Sequence, residues 1–145
     1  MFKIFIDNNK IIRNMEPNNI IKCYTDASYS KELLGSVIGY KIGDSKIKTE
    51  YLEGINNTQA ELIAIEKCIE KVKKHHPGKI IHIYTDCQKA IKVYNDNEDV
   101  VMHKMIGHIK KELRDGDQMI FSQVDRATSK QMRSKFKSII EVKHE

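Results

Sequence analysis

Tyr24-Thr25-Asp26 and Tyr84-Thr85-Asp86 are the same tripeptide, and each closes an apolar stretch, residues 20 to 26 and residues 80 to 85 onward. β-Branched and aromatic side chains dominate both stretches, so each is expected to be a strand. If the two strands are parallel neighbours, both aspartates emerge near the carboxyl end of one sheet, where ligands of α/β folds tend to bind. Two carboxylates forced together repel, which raises one pKa or recruits a cation. Magnesium resolves that conflict well, because it prefers oxygen ligands from one or two carboxylates plus substrate phosphate. A single strand-terminal Asp is more simply a helix cap or turn residue. The pair on matching strands is what favours a metal.

Between the two tripeptides, Leu34 to Ile42 reads as a strand in which Gly35 and Gly39 mark close backbone approach. The turn Gly43-Asp44 leads to a third strand, Lys46 to Ile55, so an antiparallel meander is expected. A helix follows, with Leu62, Ile65, Ile69 and Val72 on one face. Relative to Glu61 these lie at about 100°, 40°, 80° and 20°, so the glutamate borders the face that packs on the sheet. A buried, unpaired carboxylate there would be costly. Thr58-Gln59-Ala60-Glu61 also matches a capping box, with Glu61 reaching back to the Thr58 backbone. Capping alone does not explain why this helix joins the two aspartate-bearing strands. Pro77-Gly78 stops it. Further on, helices are expected at Gln88 to about Asn95, Val101 to Leu113 and Lys130 to Val142, with a strand at Gln118 to Val124. Lys3 to Arg13 reads as an edge hairpin turning at Asp7-Asn8-Asn9.

A chain of 145 residues is one domain by size, spanning 1–145 with 1–18 as an N-terminal edge hairpin or extension. No run approaches the roughly 20 apolar residues that cross a membrane. Met1 to Asp7 lacks the apolar run and cleavage site of a signal peptide. Cys23, Cys68 and Cys87 are odd in number and show no C-x-x-C spacing, so buried free thiols are expected. Together these features predict a cytoplasmic monomer. The net charge of +5 is uneven: residues 127–145 hold five Lys/Arg against two Asp/Glu. Such a surface attracts phosphates, and many cytoplasmic proteins are equally basic for solubility.

Tyr24-Thr25-Asp26-Ala27-Ser28, Asn56-Asn57-Thr58-Gln59-Ala60-Glu61-Leu62 and Tyr84-Thr85-Asp86-Cys87-Gln88 together resemble the type 1 ribonuclease H family in content, order and spacing, over roughly residues 19 to 124. Transposases and retroviral integrases share the broader fold but place their glutamate last, unlike this chain. The resemblance implies an α/β fold, a five-stranded mixed sheet of antiparallel meander plus parallel strands flanked by helices. It implies an endonuclease that hydrolyses the RNA strand of RNA–DNA hybrids, with Mg²⁺ or Mn²⁺ activating water and stabilising the leaving oxygen. Asp26, Glu61 and Asp86 match the family's metal-binding, catalytic carboxylates. Asn57 matches a minor-groove contact. Ser28 and Gln88 fall where backbone or 2′-hydroxyl contacts are made, and Arg126 is a further substrate contact.

The family normally adds a fourth carboxylate on its final helix, after a mobile loop carrying His or Arg. Val124-Asp125-Arg126 begins the usual pattern, but Ser129 stands for its Asn and Met132-Arg133 for its Ala-Asp. Arg133 is therefore expected to repel a second metal, and Asp125, read as ending a strand, is not expected to reach the site. Two functions follow from the resemblance: an active hybrid-specific nuclease, or a nucleic-acid-binding module weakened by the missing carboxylate. A related nuclease acting on another structured nucleic acid is a third.

Overall fold

The structure, a computed structural model, describes residues 19–143. The expected hairpin at Lys3 to Arg13 lies outside them. β1 (Ile20–Ser30), β2 (Gly35–Ile42) and β3 (Lys48–Glu53) form the expected antiparallel meander. Helix α1 (Asn57–His75) then leads to β4 (Ile80–Thr85), which pairs parallel with β1. The short α2 (Gln88–Val93) precedes β5 (Val100–Lys104), parallel to β4, and α3 (Gly116–Lys143) ends the described chain. The sheet has five strands in the order β3-β2-β1-β4-β5.

The register sets the two tripeptides side by side, with Tyr24 opposite Tyr84 and their rings stacked at 4.9 Å. Because side chains alternate along a strand, β1 sends Cys23 into one core and Tyr24 into another. The first core holds Cys23, Ile38, Ile81 and Ile83 against Ala64, Ile65, Cys68 and Val72 of α1. The second holds Tyr24 and Tyr84 against Phe121 and Val124 of α3. The sheet is thus a layer between two helices. All three cysteines are free; Cys23 and Cys68 are buried as expected, whereas Cys87 is only half-buried.

Two expected elements are replaced. Val101 to Leu113 is not a helix: its first residues complete β5, and only Lys111–Leu113 forms a turn of 3-10 helix. Pairing with β4 overrides the local helical preference, and Gly107 and a left-handed His108 (φ 56°) follow before any helix can start. Gln118 to Val124 is not a strand but the beginning of α3, which runs through the expected C-terminal helix. Phe121, Val124, Thr128 and Met132 are its buried stripe, a helical spacing that the polar Thr128 disguises in the sequence.

Candidate metal centre

Asp26 comes from the middle of β1, four residues before its end, whereas Asp86 directly follows β4. Glu61 lies in the second turn of α1. A carboxylate oxygen from each of Asp26, Glu61 and Asp86 lies within 4.8 Å of the others. Asp26 and Glu61 are each 4% exposed, and Asp86 is half-buried at the solvent side.

Glu61 is free for this because the helix is capped elsewhere. The N-cap is Asn56, whose side chain accepts from the Gln59 amide at 2.9 Å. Gln59 Oε1 returns the bond by accepting from the Asn56 amide at 3.2 Å. The expected Thr58–Glu61 capping box is therefore displaced by two residues, and Glu61 points into the sheet. Its Oε2 is buried with no hydrogen-bond partner among the described residues.

A fourth carboxylate stands beside the three. Asp125 acts on Asp26, Glu61 and Asp86 alike and raises all three. Its position on α3 overturns the expectation that it ends a strand and cannot reach the site. Arg133, expected in the fourth position, is instead exposed, eight residues or about 12 Å further along the helix. Thr128, fully buried, donates its hydroxyl to the Asp125 carbonyl at 2.7 Å and lies 3.4 Å from Asp26 Oδ2. Gly39, directly opposite Asp26 in the register, makes this approach possible. A Cβ there would overlap the Thr128 methyl and press on Val124 at 3.3 Å. The close approach expected at Gly39 is therefore that of α3 to the sheet.

Burial is the largest cause pushing both Asp26 and Glu61 well above the carboxylate range; for Asp26 the Glu61 charge comes next, and for Glu61 the Asp86 charge. The Ala27 amide pulls Glu61 partly back. Asp86 is raised by burial and then by Asp125, and His108 opposes this. Desolvation and like charge dominate, so the cluster as it stands is electrostatically unsatisfied. A hard divalent cation fits it: every donor is a carboxylate oxygen, one of them orphaned, and a cation would relieve each repulsion named.

The loop after β5 also touches the centre. Gly107 backs onto Asp86, where an added Cβ would come within 2.7 Å of Oδ2. His108, missed in the sequence because its segment was read as helical, brings its charge to the same carboxylate. Among the substrate candidates, Ser28 is half-buried on β1, two residues beyond Asp26, and Asn57 is exposed at the start of α1. Gln88 is exposed at the start of α2, next but one to Asp86, and Arg126 is exposed on α3 beside Asp125. Each of the four lies within four residues of one of the carboxylates along the chain.

Among the described residues, no helix is long and apolar enough to cross a membrane. No curated protein matches the chain. The family model for RNase H matches residues 18–143, a span that contains every strand of the sheet and all four carboxylates. The chain belongs to the RNase H family, whose members are nucleic-acid hydrolases.

Proposed function

We propose that this protein is a metal-dependent endoribonuclease that cuts the RNA strand of RNA–DNA hybrids. The observation that carries this reading is the cluster of Asp26, Glu61 and Asp86 within 4.8 Å, one member of which, Glu61, has a buried oxygen without a hydrogen-bond partner among the described residues. A folding domain gains nothing from burying like charges together, whereas a phosphodiester hydrolase needs them to hold Mg²⁺ or Mn²⁺. Such an ion, when bound, supplies the positive charge that polarises the phosphodiester and lowers the pKa of the attacking water. Asp26 and Glu61, both buried between strand and helix, would hold the cation together with Asp86. Asp86 and Asp125, less buried, complete the set where substrate enters. His108 offers a titratable group beside Asp86 that can carry a proton to or from the reacting end. Ser28, Asn57, Gln88 and Arg126 orient the hybrid, with a 2′-hydroxyl contact distinguishing RNA from DNA.

The binding-module alternative drew its support from a missing fourth carboxylate, and the action of Asp125 on the other three favours the enzymatic reading over it. The test is cleavage of an end-labelled RNA–DNA hybrid with Mg²⁺ and then Mn²⁺, comparing the unaltered chain with Asp86→Asn. The proposal predicts RNA-strand cleavage that falls by about 10²-fold or more in the variant. Tight hybrid binding without cleavage under either metal would favour the binding module. Equal cleavage by Asp86→Asn would place the site elsewhere.

A further inference from the structure

The turn after β2 and the C-terminal end of α1 wall a cleft of about 220 Å³, backed by the nearly buried Tyr40. Lys46, Lys48, Lys71, His75 and His76 line it, and no Asp or Glu does among the described residues. Lys71 is held in place, with its Nζ 5.3 Å from the centroid of the Tyr40 ring. The cleft lies on the face of the sheet covered by α1, away from α3.

Cations at the last turn of a helix have an ordinary explanation in the helix dipole, and Lys73, Lys74 and His75 stand there. That explanation does not reach Lys46 and Lys48, which arrive from the turn before β3 and from its first residue. Both are exposed and add like charge to a concave wall that already holds Lys71. A concave surface lined by one sign of charge focuses potential and concentrates the opposite charge. The occupant this chemistry selects is a phosphate-bearing one.

Helix α1 serves as a ruler between the two sites. Lys71 and His75 are ten and fourteen residues beyond Glu61 on the same helix, which is about 15–21 Å at the helical rise. A nucleic-acid strand spends roughly 3.4 Å per nucleotide, so the spacing matches about five nucleotides. We propose that this cleft is a second phosphate-holding subsite, taking the sugar–phosphate backbone of the nucleic acid about five nucleotides from the carboxylate centre. The inference rests on the nucleic-acid reading of the carboxylate centre and adds to it a distal anchor that sets how much substrate the protein needs.

The test measures binding of a labelled RNA–DNA hybrid of about 18 base pairs by fluorescence anisotropy over a salt series. It uses the full chain carrying Asp86→Asn so that turnover does not interfere. Lys46→Ala/Lys48→Ala is compared with Lys130→Ala/Lys137→Ala, which removes two exposed cations from α3 on the other face. All four lysines are exposed, so neither pair opens the core, and matching thermal unfolding curves check this. The cleft pair should weaken binding about 10-fold and reduce the slope of log K against log salt by nearly two units, with little change from the α3 pair. Equal effects from the two pairs would overturn the proposal. So would inorganic phosphate shifting the Lys46 and Lys48 amide resonances while the cleft variant keeps its hybrid affinity, because the site would then serve a small phosphate ligand. If the unaltered chain cleaves no hybrid yet the cleft pair alone weakens binding, the enzymatic reading fails and the subsite stands.

Discussion

Asp125 is the residue whose position changes the chemistry most. A carboxylate at the solvent side of three others tightens their repulsion, seen in the way burial and its charge raise Asp86, and so strengthens their demand for a cation. Arg133, exposed about two turns further along α3, is too far along the helix to oppose that cation at contact range. Asp125→Asn should therefore lower kcat for hybrid cleavage in Mg²⁺ by about 10²-fold. Arg133→Asp should leave kcat within about twofold, as exposed substitutions away from a site usually do. Steady-state cleavage rates of the two variants decide between Asp125 and Arg133 as the occupant of the fourth position. The sequence made Asp26, Glu61 and Asp86 legible because their flanking tripeptides and helical spacing are local signals. It hid Asp125 because that residue's role depends on the identity of the element carrying it, and the short apolar run Met119-Ile120-Phe121 reads equally well as strand or helix.

At the scale of elements, the centre exists because α3 lies unusually close to β1 and β2. Gly39 opposite Asp26 leaves room for Thr128 and Val124, and Thr128 ties the helix backbone at Asp125 to the neighbourhood of Asp26. The N-terminal end of α3 is fastened separately, where the Tyr24 hydroxyl donates to Asp117 at 2.6 Å and Lys22 pairs with the same carboxylate at 3.2 Å. Gly39→Ala should lift the middle of α3 from the sheet, at a cost of about 1–3 kcal/mol from overpacking. It should also weaken metal affinity, because Asp125 moves with its helix. Thermal unfolding together with Mn²⁺ titration checks both effects, and a variant with lowered stability but unchanged metal affinity would mean that Asp125 is not part of the site. The close approach at Gly39 was legible from a glycine inside a strand. Which element approaches was not, since α3 lies some 85 residues away in the chain and nothing local names it.

Across the whole molecule, the two faces of the sheet divide the work: α1 carries Glu61, α3 carries Asp125, β1 carries Asp26, and Asp86 follows the end of β4. The parallel half has a second polar feature on the α3 face, where His82 and His103 stack and their ring nitrogens Nδ1 and Nε2 approach to 2.8 Å. One ring donates and the other accepts, so the pair is stable with both imidazoles neutral. Burial, then His103 and Lys22, depress His82 to about 4, with Asp117 opposing; His103 is lowered chiefly by burial. The unfolded chain therefore protonates this pair more readily as pH falls below about 6.5, so the pair's own contribution to stability declines from there towards about pH 4, while the raised Asp26 and Glu61 carboxyls, protonated more readily in the folded chain, pull the other way. Thermal unfolding between pH 7 and 4.5 isolates the pair as a difference: His82→Gln/His103→Gln should gain stability relative to the unaltered chain as pH falls. The strand β5 that brings His103 to this place was read as helix, because an edge strand with one half-buried face carries little periodic signal.

If the carboxylates are gathered to hold a divalent cation, calorimetric titration with Mn²⁺ should register its binding. Titrations of the unaltered chain and of Asp26→Asn, each in two buffers of different ionisation enthalpy, count the protons released along with the heat of binding. Because burial and mutual repulsion hold Asp26 and Glu61 partly protonated, binding should release protons near neutral pH and strengthen as pH rises. Asp26→Asn should weaken affinity by at least about 10-fold. Affinity equal in the two proteins, or binding without proton release near neutral pH, would mean that these carboxylates do not form the cation site.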